Sequence, residues 1–276
     1  MSFVPFRKMH GLGNDFVIVD RRAGLRAPSE AAVRLIADRH RGVGCDQLIV
    51  LEASAEHDLF MRIHNPDASE AQACGNATRC VAACLMAESG RDHAVIDSAA
   101  GPLVCSRAGD AIAVQMPAPK LHWRDLPLAE PRDTLHLAIA AGPLSDPVAV
   151  SMGNPHAVFF VDDVNTVDLQ TLGPGLEHHP LFPERANIGI ASVLDRQHLR
   201  VRVFERGAGL TLACGSGACA AFVAAHRRGL VDDQADLQLD GGPLQIAWPG
   251  AGPVIMTGPY AHVFDGRLDP ALWSLA

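Results

Sequence analysis

The pattern of apolar and polar positions predicts short strands and a few helices. Leu59, Met61 and Ile63 fall on one side of a two-residue period, and Val201 and Val203 repeat the pattern later in the chain. Such alternation marks a half-buried strand. Apolar runs at 16–19 and 157–161 predict two buried strands, and Ile112 and Val114 belong to a further alternating segment. Helical spacing appears at 29–39, where Val33, Ile36 and Ala37 share a face and Pro28-Ser29 supplies a start and an N-cap. Two Ala/Val-rich stretches, 75–89 and 215–228, are apolar nearly all round and are followed by Gly90 and Gly229. Glycine just past the last turn is a helix stop. A helix without a polar face is buried, here against a sheet.

These elements occur twice. Gly13-Asn14 recurs as Gly153-Asn154 and Ala73-Cys74-Gly75 as Ala213-Cys214-Gly215, both at an offset of 140. Met61-Arg62-Ile63-His64-Asn65 lines up with Val201-Arg202-Val203-Phe204-Glu205 at the same offset, close to half of the 276 residues. Three blocks at one spacing indicate an internal duplication. Prolines 117, 119, 127 and 131 punctuate the middle of the chain, as in linkers and turns. The expected domains are therefore 1–118, with a tail at 264–276 returning to it, and 119–263. The class is α+β rather than a regular βαβ alternation.

Composition narrows the function. The net charge is −8 and aromatics are 5%, which argues against a phosphate-binding surface or a base-stacking platform and so against a nucleic-acid partner. No apolar run approaches the roughly 20 residues of a membrane span, and no signal peptide is legible, so a cytoplasmic protein without a membrane partner is expected. The only lysines are Lys8 and Lys120. One is nearly terminal and the other sits among prolines, which makes a pyridoxal-phosphate enzyme, with its Schiff-base lysine, a poor fit. Seven cysteines (45, 74, 80, 84, 105, 214 and 219) include no Cys-x-x-Cys. That pattern points to neither a disulfide framework nor a zinc site, and no metal is expected.

Cys74 and Cys214 stand apart because each precedes a predicted buried helix. A helix N-terminus carries unsatisfied N–H donors and about half a positive charge. This predicts a lowered thiol pKa and a place for a carboxylate. Two related domains would aim two such termini at one cleft, with a thiol on either face of a substrate α-carbon. One thiolate would remove the α-proton and the other thiol would deliver one, a two-base inversion. The alternatives are packed helix-start cysteines, a redox-switched pair and a plain binding module.

In these residues the chain resembles the diaminopimelate epimerase family. The resemblance runs through 10–16 (HGLGNDF), 65–70 (NPDASE), 73–76 (ACGN), 152–156 (MGNPH), 183–187 (PERAN), 205–209 (ERGAG) and 213–217 (ACGSG), in order and across nearly the whole chain. It implies two pseudo-symmetric domains, each a barrel-like, largely antiparallel sheet around a central helix. It also implies cofactor-independent conversion of LL- to meso-diaminopimelate, on the route to lysine and peptidoglycan, and a homodimer. Cys74 and Cys214 match the acid/base pair, and His156 and Glu205 the groups that assist proton transfer. Asn14, Gln47, Asn65, Asn154, Asn187, Glu205 and Arg206 match substrate contacts, and Gly75, Asn76, Gly215 and Ser216 match the carboxylate cradle. Arg and Asn side chains suit a substrate that is an amino acid at both ends. A racemase of another amino acid is the nearest alternative. Ala68, Ala77 and Leu210 depart from the family's usual Gly, Gly and Glu.

Overall fold

The computed structural model describes residues 3–275. The chain divides into two compact units, Met1–Val114 with Gly258–Ala276, and Gln115–Thr257. The elements run β1 (Val4–Gly11), β2 (Asn14–Asp20), α1 (Glu30–Ala37), β3 (Gln47–Glu52), β4 (Leu59–His64), β5 (Glu70–Ala71), α2 (Gly75–Ser89), β6 (His93–Ser98), β7 (Gly101–Ala108) and β8 (Ala111–Met116). They continue with β9 (Ala140–Ala141), β10 (Leu144–Ser145), β11 (Val148–Ser151), β12 (Pro155–Phe160), α3 (Leu169–Glu177), β13 (Asn187–Asp195), β14 (His198–Glu205), β15 (Gly209–Thr211) and α4 (Gly215–Arg227). The last are β16 (Gln234–Leu239), β17 (Gly242–Ala247), β18 (Val254–Gly258), β19 (Ala261–Leu268) and α5 (Pro270–Trp273).

In the first unit β1 pairs antiparallel with β2, β2 parallel with β3, β3 antiparallel with β4, β4 parallel with β6, and β6 antiparallel with β7. The second unit repeats that sequence of pairings with β11, β12, β13, β14, β16 and β17. The repeat extends to register. Phe16 faces Gln47 across the parallel pair β2–β3, and His156 faces Asn187 across β12–β13, both residues displaced by 140. Farther on, Leu59 faces Ile96 but Leu199 faces Leu237, so the second strand of that pair is displaced by 141. This is the duplicated α+β arrangement expected from the repeat.

Each unit wraps its sheet around one helix. Gly75–Met86 of α2 are all buried, and the helix packs on β1, β6 and β7. It ends at Gly90, whose φ of 71° is the left-handed stop. Helix α4 packs on β11, β12, β13, β14, β16 and β17, with Gly217–Ala225 buried. Small side chains at nearly every position let strands approach from several sides, which an amphipathic helix would not allow. Helix α1 is the amphipathic one. Ser29 caps it by accepting from the Ala32 N–H, and Val33, Ile36 and Ala37 are buried. They join a core with Val4, Phe6, Val17, Val19, Leu48, Val50 and Trp273. The C-terminal strand β19 lies antiparallel on β1, with Val4 opposite Leu268.

Each unit has a turn that places one of the two repeated asparagines. Leu12 and Gly13 both have positive φ (57° and 84°) in the two-residue hairpin between β1 and β2, a type I′ geometry matched to strand twist. Gly153 has a φ of 95° in the corresponding turn. Glycine tolerates that region without a Cβ penalty, and each turn delivers an asparagine next. Ala68, where the family usually has Gly, also takes a positive φ of 69° and therefore carries backbone strain. Among the described residues, no helix is long and apolar enough to cross a membrane.

Candidate active site

Cys74 and Cys214 are the N-cap residues of the two central helices, both in extended backbone conformation. Gly75 and Asn76 are the first two residues of α2, and Gly215 and Ser216 the first two of α4. These positions lie ahead of the helical hydrogen-bond ladder, where N–H groups point out of the helix end.

In the first unit Cys74 Sγ lies 3.7 Å from Asn14 Oδ1 and donates to it. Asn76 Nδ2 donates to the same oxygen at 3.2 Å. Asn14 Nδ2 in turn donates to Asp46 Oδ2 at 3.0 Å. Asp46 also accepts from the Asp15 N–H and ion-pairs with Arg39. Burial would raise the Asp15 carboxyl, yet hydrogen bonds from Arg39 and Lys8 hold it at about 2. Gln47 at the start of β3 meets Asn65 just past the end of β4, with Gln47 Nε2 donating to Asn65 Oδ1 at 3.0 Å. Asn65 Nδ2 donates to Ser69 Oγ at 3.0 Å. The other end of the Gln47 amide, Oε1, is buried without a hydrogen-bond partner, an acceptor whose desolvation nothing offsets.

The second unit has the same frame with different chemistry. Asn154 Nδ2 points to Ser216 Oγ at 3.4 Å, the same 62-residue link that joins Asn14 to Asn76. Cys214 Sγ accepts from the Gly217 N–H at 3.3 Å and lies 3.6 Å from Ser216 Oγ. Asn187 Nδ2 donates to the Pro155 carbonyl and its Oδ1 accepts from the Arg206 N–H, at 2.9 and 3.0 Å. The Arg206 guanidinium donates to the Glu184 carbonyl at 2.8 Å, and Glu205 accepts from the Thr211 hydroxyl. The 205–207 turn is held from behind by buried Glu177, which accepts from the Gly207 N–H at 3.1 Å.

The electrostatics of Cys214 correct the expectation of a lowered pKa. Burial raises this thiol well above its usual value, and the Glu205 carboxylate raises it further. Hydrogen bonds from Ser216 and the Gly217 N–H act in the opposite sense but do not prevail. A helix N-terminus is worth about 0.3–2 kcal/mol, whereas an anion stripped of water loses several times that. Cys214 is 5% exposed, so desolvation wins. Cys45, Cys80, Cys84, Cys105 and Cys219 are also buried. Burial pushes Cys45 up to about 11 and Cys105 to about 12.

His156 is 1% exposed. Burial pushes its pKa down to about 3, with the nearby Arg206 charge adding to the effect. It is therefore a neutral imidazole with a single N–H. Its Nε2 lies 3.0 Å from Asn154 Oδ1, and its Nδ1 is buried without a partner. Placing the proton on Nε2 leaves a bare acceptor, while the other tautomer would bury an orphaned N–H, which is rarer and costlier. Nε2–H thus donates to Asn154 Oδ1.

His156 ties stability to pH. Its folded-state pKa is depressed from 6.5 to about 3, so as pH falls the unfolded chain binds a proton that the folded chain refuses. Its contribution is complete above the unfolded value and is lost as pH falls through that window, at about 1.4 kcal/mol per pH unit. We expect His156→Gln to flatten the pH dependence of urea-unfolding stability between about pH 6 and pH 4 by roughly that slope. Parallel slopes in the variant and the parent would refute this assignment.

Asp46, Arg79 and Glu177 support the frame and escape a sequence reading. Arg79 had one available signal, a charge in the middle of a largely apolar helix, and it is fully buried. Asp46 and Glu177 had none. Leu210 packs against the core of the second unit. Among the described residues, no group of three or more His, Cys, Asp or Glu is arranged to hold a metal ion.

Comparison with known proteins places this frame in context. The family model for diaminopimelate epimerase matches residues 6–121 and 148–263. The chain is 56% identical over 269 residues to the diaminopimelate epimerase of Acidiphilium cryptum, covering 97% of both proteins. It is 56% identical over 270 residues to that of Rhodospirillum centenum, covering 97% of this chain and 93% of the relative. Among solved structures it is similar to a PhzF-family phenazine biosynthesis protein of Bacillus anthracis. The TM-score there is 0.71 at 17% identity, covering 98% of this chain and 100% of that one. A hydroxyproline epimerase from Agrobacterium vitis matches with a TM-score of 0.65 at 15% identity, covering 99% of this chain and 95% of that one. At those identities the solved structures speak for the fold alone.

Proposed function

Because the chain belongs to the diaminopimelate epimerase family, we propose that it inverts one α-carbon of diaminopimelate with Cys74 and Cys214 as the acid/base pair. The observation that carries this reading is the duplicated frame, a cysteine N-cap tied to a turn asparagine in each unit. One thiolate takes the α-proton from one face of the carbon, and the other thiol returns a proton to the opposite face. Each turnover therefore exchanges the protonation states of the two sulfurs. The carbanion-like transition state spreads charge onto the substrate carboxylate, where N–H donors at a helix start stabilise it. These donors come from Gly75, Asn76, Gly215 and Ser216.

A raised Cys214 pKa suits this chemistry. An α-proton beside a carboxylate is weakly acidic, so a more basic thiolate is the better acceptor. Glu205 is the group to take the thiol proton, with neutral His156 orienting Asn154 behind it. The second amino-acid end of the substrate is held by Gln47, Asn65, Asn187 and Arg206, with Asn14 and Asn154 completing the contacts. A monofunctional amino acid would leave these groups unpaired and be rejected; the racemase alternative lacks a use for them. By the same family reading the enzyme works without a cofactor, in the cytoplasm, as a homodimer, on the route to lysine and peptidoglycan.

The test is incubation of the reduced protein with LL-diaminopimelate in heavy water, with no cofactor added. Inversion with one deuterium gained at the α-carbon is expected. Absence of exchange would sink the reading, and comparable exchange into proline or histidine would favour the racemase alternative.

A further inference from the structure

The polar groups beside Cys74 form a chain with a fixed direction. Arg79 Nη2 donates to Asn76 Oδ1 at 2.8 Å, and Arg79 Nε donates to the Pro259 carbonyl at 3.0 Å. Asn76 Nδ2 donates to Asn14 Oδ1, and Asn14 Nδ2 donates to Asp46 Oδ2. An arginine only donates and a carboxylate only accepts. Arg79 therefore forces the oxygen of the Asn76 amide toward itself and the nitrogen toward Asn14. Asp46 independently forces the nitrogen of the Asn14 amide toward itself and the oxygen toward Asn76. The two ends agree. Between them a guanidinium and a carboxylate are linked through two amides, whose polarity neither can reverse alone. Strand β1 makes room for the chain at Gly11, where a Cβ would stand 2.9 Å from Arg79 Nη2 and 3.2 Å from Asn76 Cβ.

The second unit shows that this polarity is a choice. Position 219, the counterpart of 79, is a buried cysteine, and Ser216 stands at the counterpart of Asn76. There the buried His156 sets the amide, and Asn154 turns its nitrogen toward Ser216. The two turn asparagines thus present opposite ends to their cysteine sides, an oxygen in the first unit and a nitrogen in the second.

We propose that Arg79 and Asp46 are positioning residues that act through Asn76 and Asn14 to aim an acceptor oxygen at the Cys74 thiol. This holds the Cys74 proton in a defined direction and favours the S–H form of that sulfur before substrate arrives. The inference rests on Cys74 being one of the two acid/base groups. Neither positioning residue needs to touch the substrate.

The test uses the full-length reduced protein and two readouts. The first is alkylation of each cysteine by iodoacetamide as a function of pH, mapped by peptide mass spectrometry. Combining Asp46→Asn with Arg79→Met leaves neither end of the chain fixing an amide, so the two asparagines can reverse together and the Asn14 N–H can turn to the sulfur. The alkylation midpoint of Cys74 should fall by about one pH unit, while that of Cys214 stays in place. No movement at Cys74, or equal movement at both sulfurs, overturns the proposal. The second readout is a double-mutant cycle on kcat. Asp46→Asn and Arg79→Met should each lower kcat about tenfold with little change in KM. Residues acting as a unit are non-additive, so the double variant should lie within about threefold of the weaker single one. Losses that multiply overturn the relay. Should Arg79→Met fail to fold, Arg79→Lys takes its place, because an ammonium cannot reproduce the fork to Asn76 and Pro259. The alkylation readout does not depend on turnover. A parent protein that exchanges no α-proton would end the epimerase reading while leaving the relay to be decided by the thiol midpoints.

Discussion

Replacing either Cys74 or Cys214 with alanine is expected to lower the rate of diaminopimelate inversion by about a thousandfold or more, the usual scale for removing a member of a group that acts as a unit. Alanine offers neither a proton acceptor nor a donor, and inversion needs one of each on opposite faces. The two variants should nevertheless differ from a collapsed enzyme in a specific way. The remaining thiolate still reaches one face, so each variant should exchange the α-proton of one stereoisomer with heavy water and return it on the same side. Cys74→Ala and Cys214→Ala should act on opposite stereoisomers. The measurement is deuterium uptake resolved by chiral chromatography. Substantial inversion in either single variant would remove the two-base scheme, and loss of all exchange in both would leave it without support. Neither substitution leaves a large void, so melting temperatures near that of the parent are expected.

Gly217→Ala is expected to lower kcat roughly tenfold to a hundredfold without unfolding the protein. Alanine in place of glycine inside a helix normally stabilises by about 1 kcal/mol. Here the added Cβ would stand 2.8 Å from Val203 Cγ2 and 3.2 Å from Cys214 Sγ. The Val203 contact is below 3 Å and moving the sulfur does not relieve it, so the valine and the sulfur must both give, and the sulfur would leave the Gly217 N–H it now accepts from at 3.3 Å. The first unit supplies a precedent within the same molecule. Its counterpart of Gly217 is Ala77, and there the cysteine sulfur makes no capping bond to the helix; it turns to Asn14 instead. Stability should stay within about 1 kcal/mol of the parent, because the helix gain and the contact strain oppose each other. Parent-like kcat in Gly217→Ala would show that the capped position of Cys214 is unimportant for turnover.

Much of the frame was legible from local patterns. The start of α2 at Gly75 and its stop at Gly90 follow from a cysteine-glycine break and a left-handed glycine, both decided within a few residues. The alternation of Leu59, Met61 and Ile63 carries through to a strand whose odd positions are buried. The 140-residue offset extends to the pairing of Gln47 with Phe16 and of Asn187 with His156, because register is set by the same apolar pattern in both copies. Arg79 and Asp46 were not legible in this way. Each bonds a residue distant in sequence or crosses between elements, Arg79 to Pro259 and Asp46 to Asn14, and no period marks such pairs.

What the sequence determined by itself is therefore the family, the duplication, the α+β class and the helix starts that carry the two cysteines. Those features rest on periodicity, capping and turn chemistry, whose range is a few residues, and on a repeat that can be read along a line. What only the tertiary structure decided is the state of the groups at those helix starts. Cys214 sits at a helix start, which favours a thiolate, yet burial and Glu205 raise its pKa. His156 has a neutral ring because strands enclose it. Asn14 and Asn154 occupy one position of a repeat and face their cysteine sides with opposite ends of the amide. Protonation and hydrogen-bond direction depend on desolvation and on partners from other elements, and these exist only once the chain has packed.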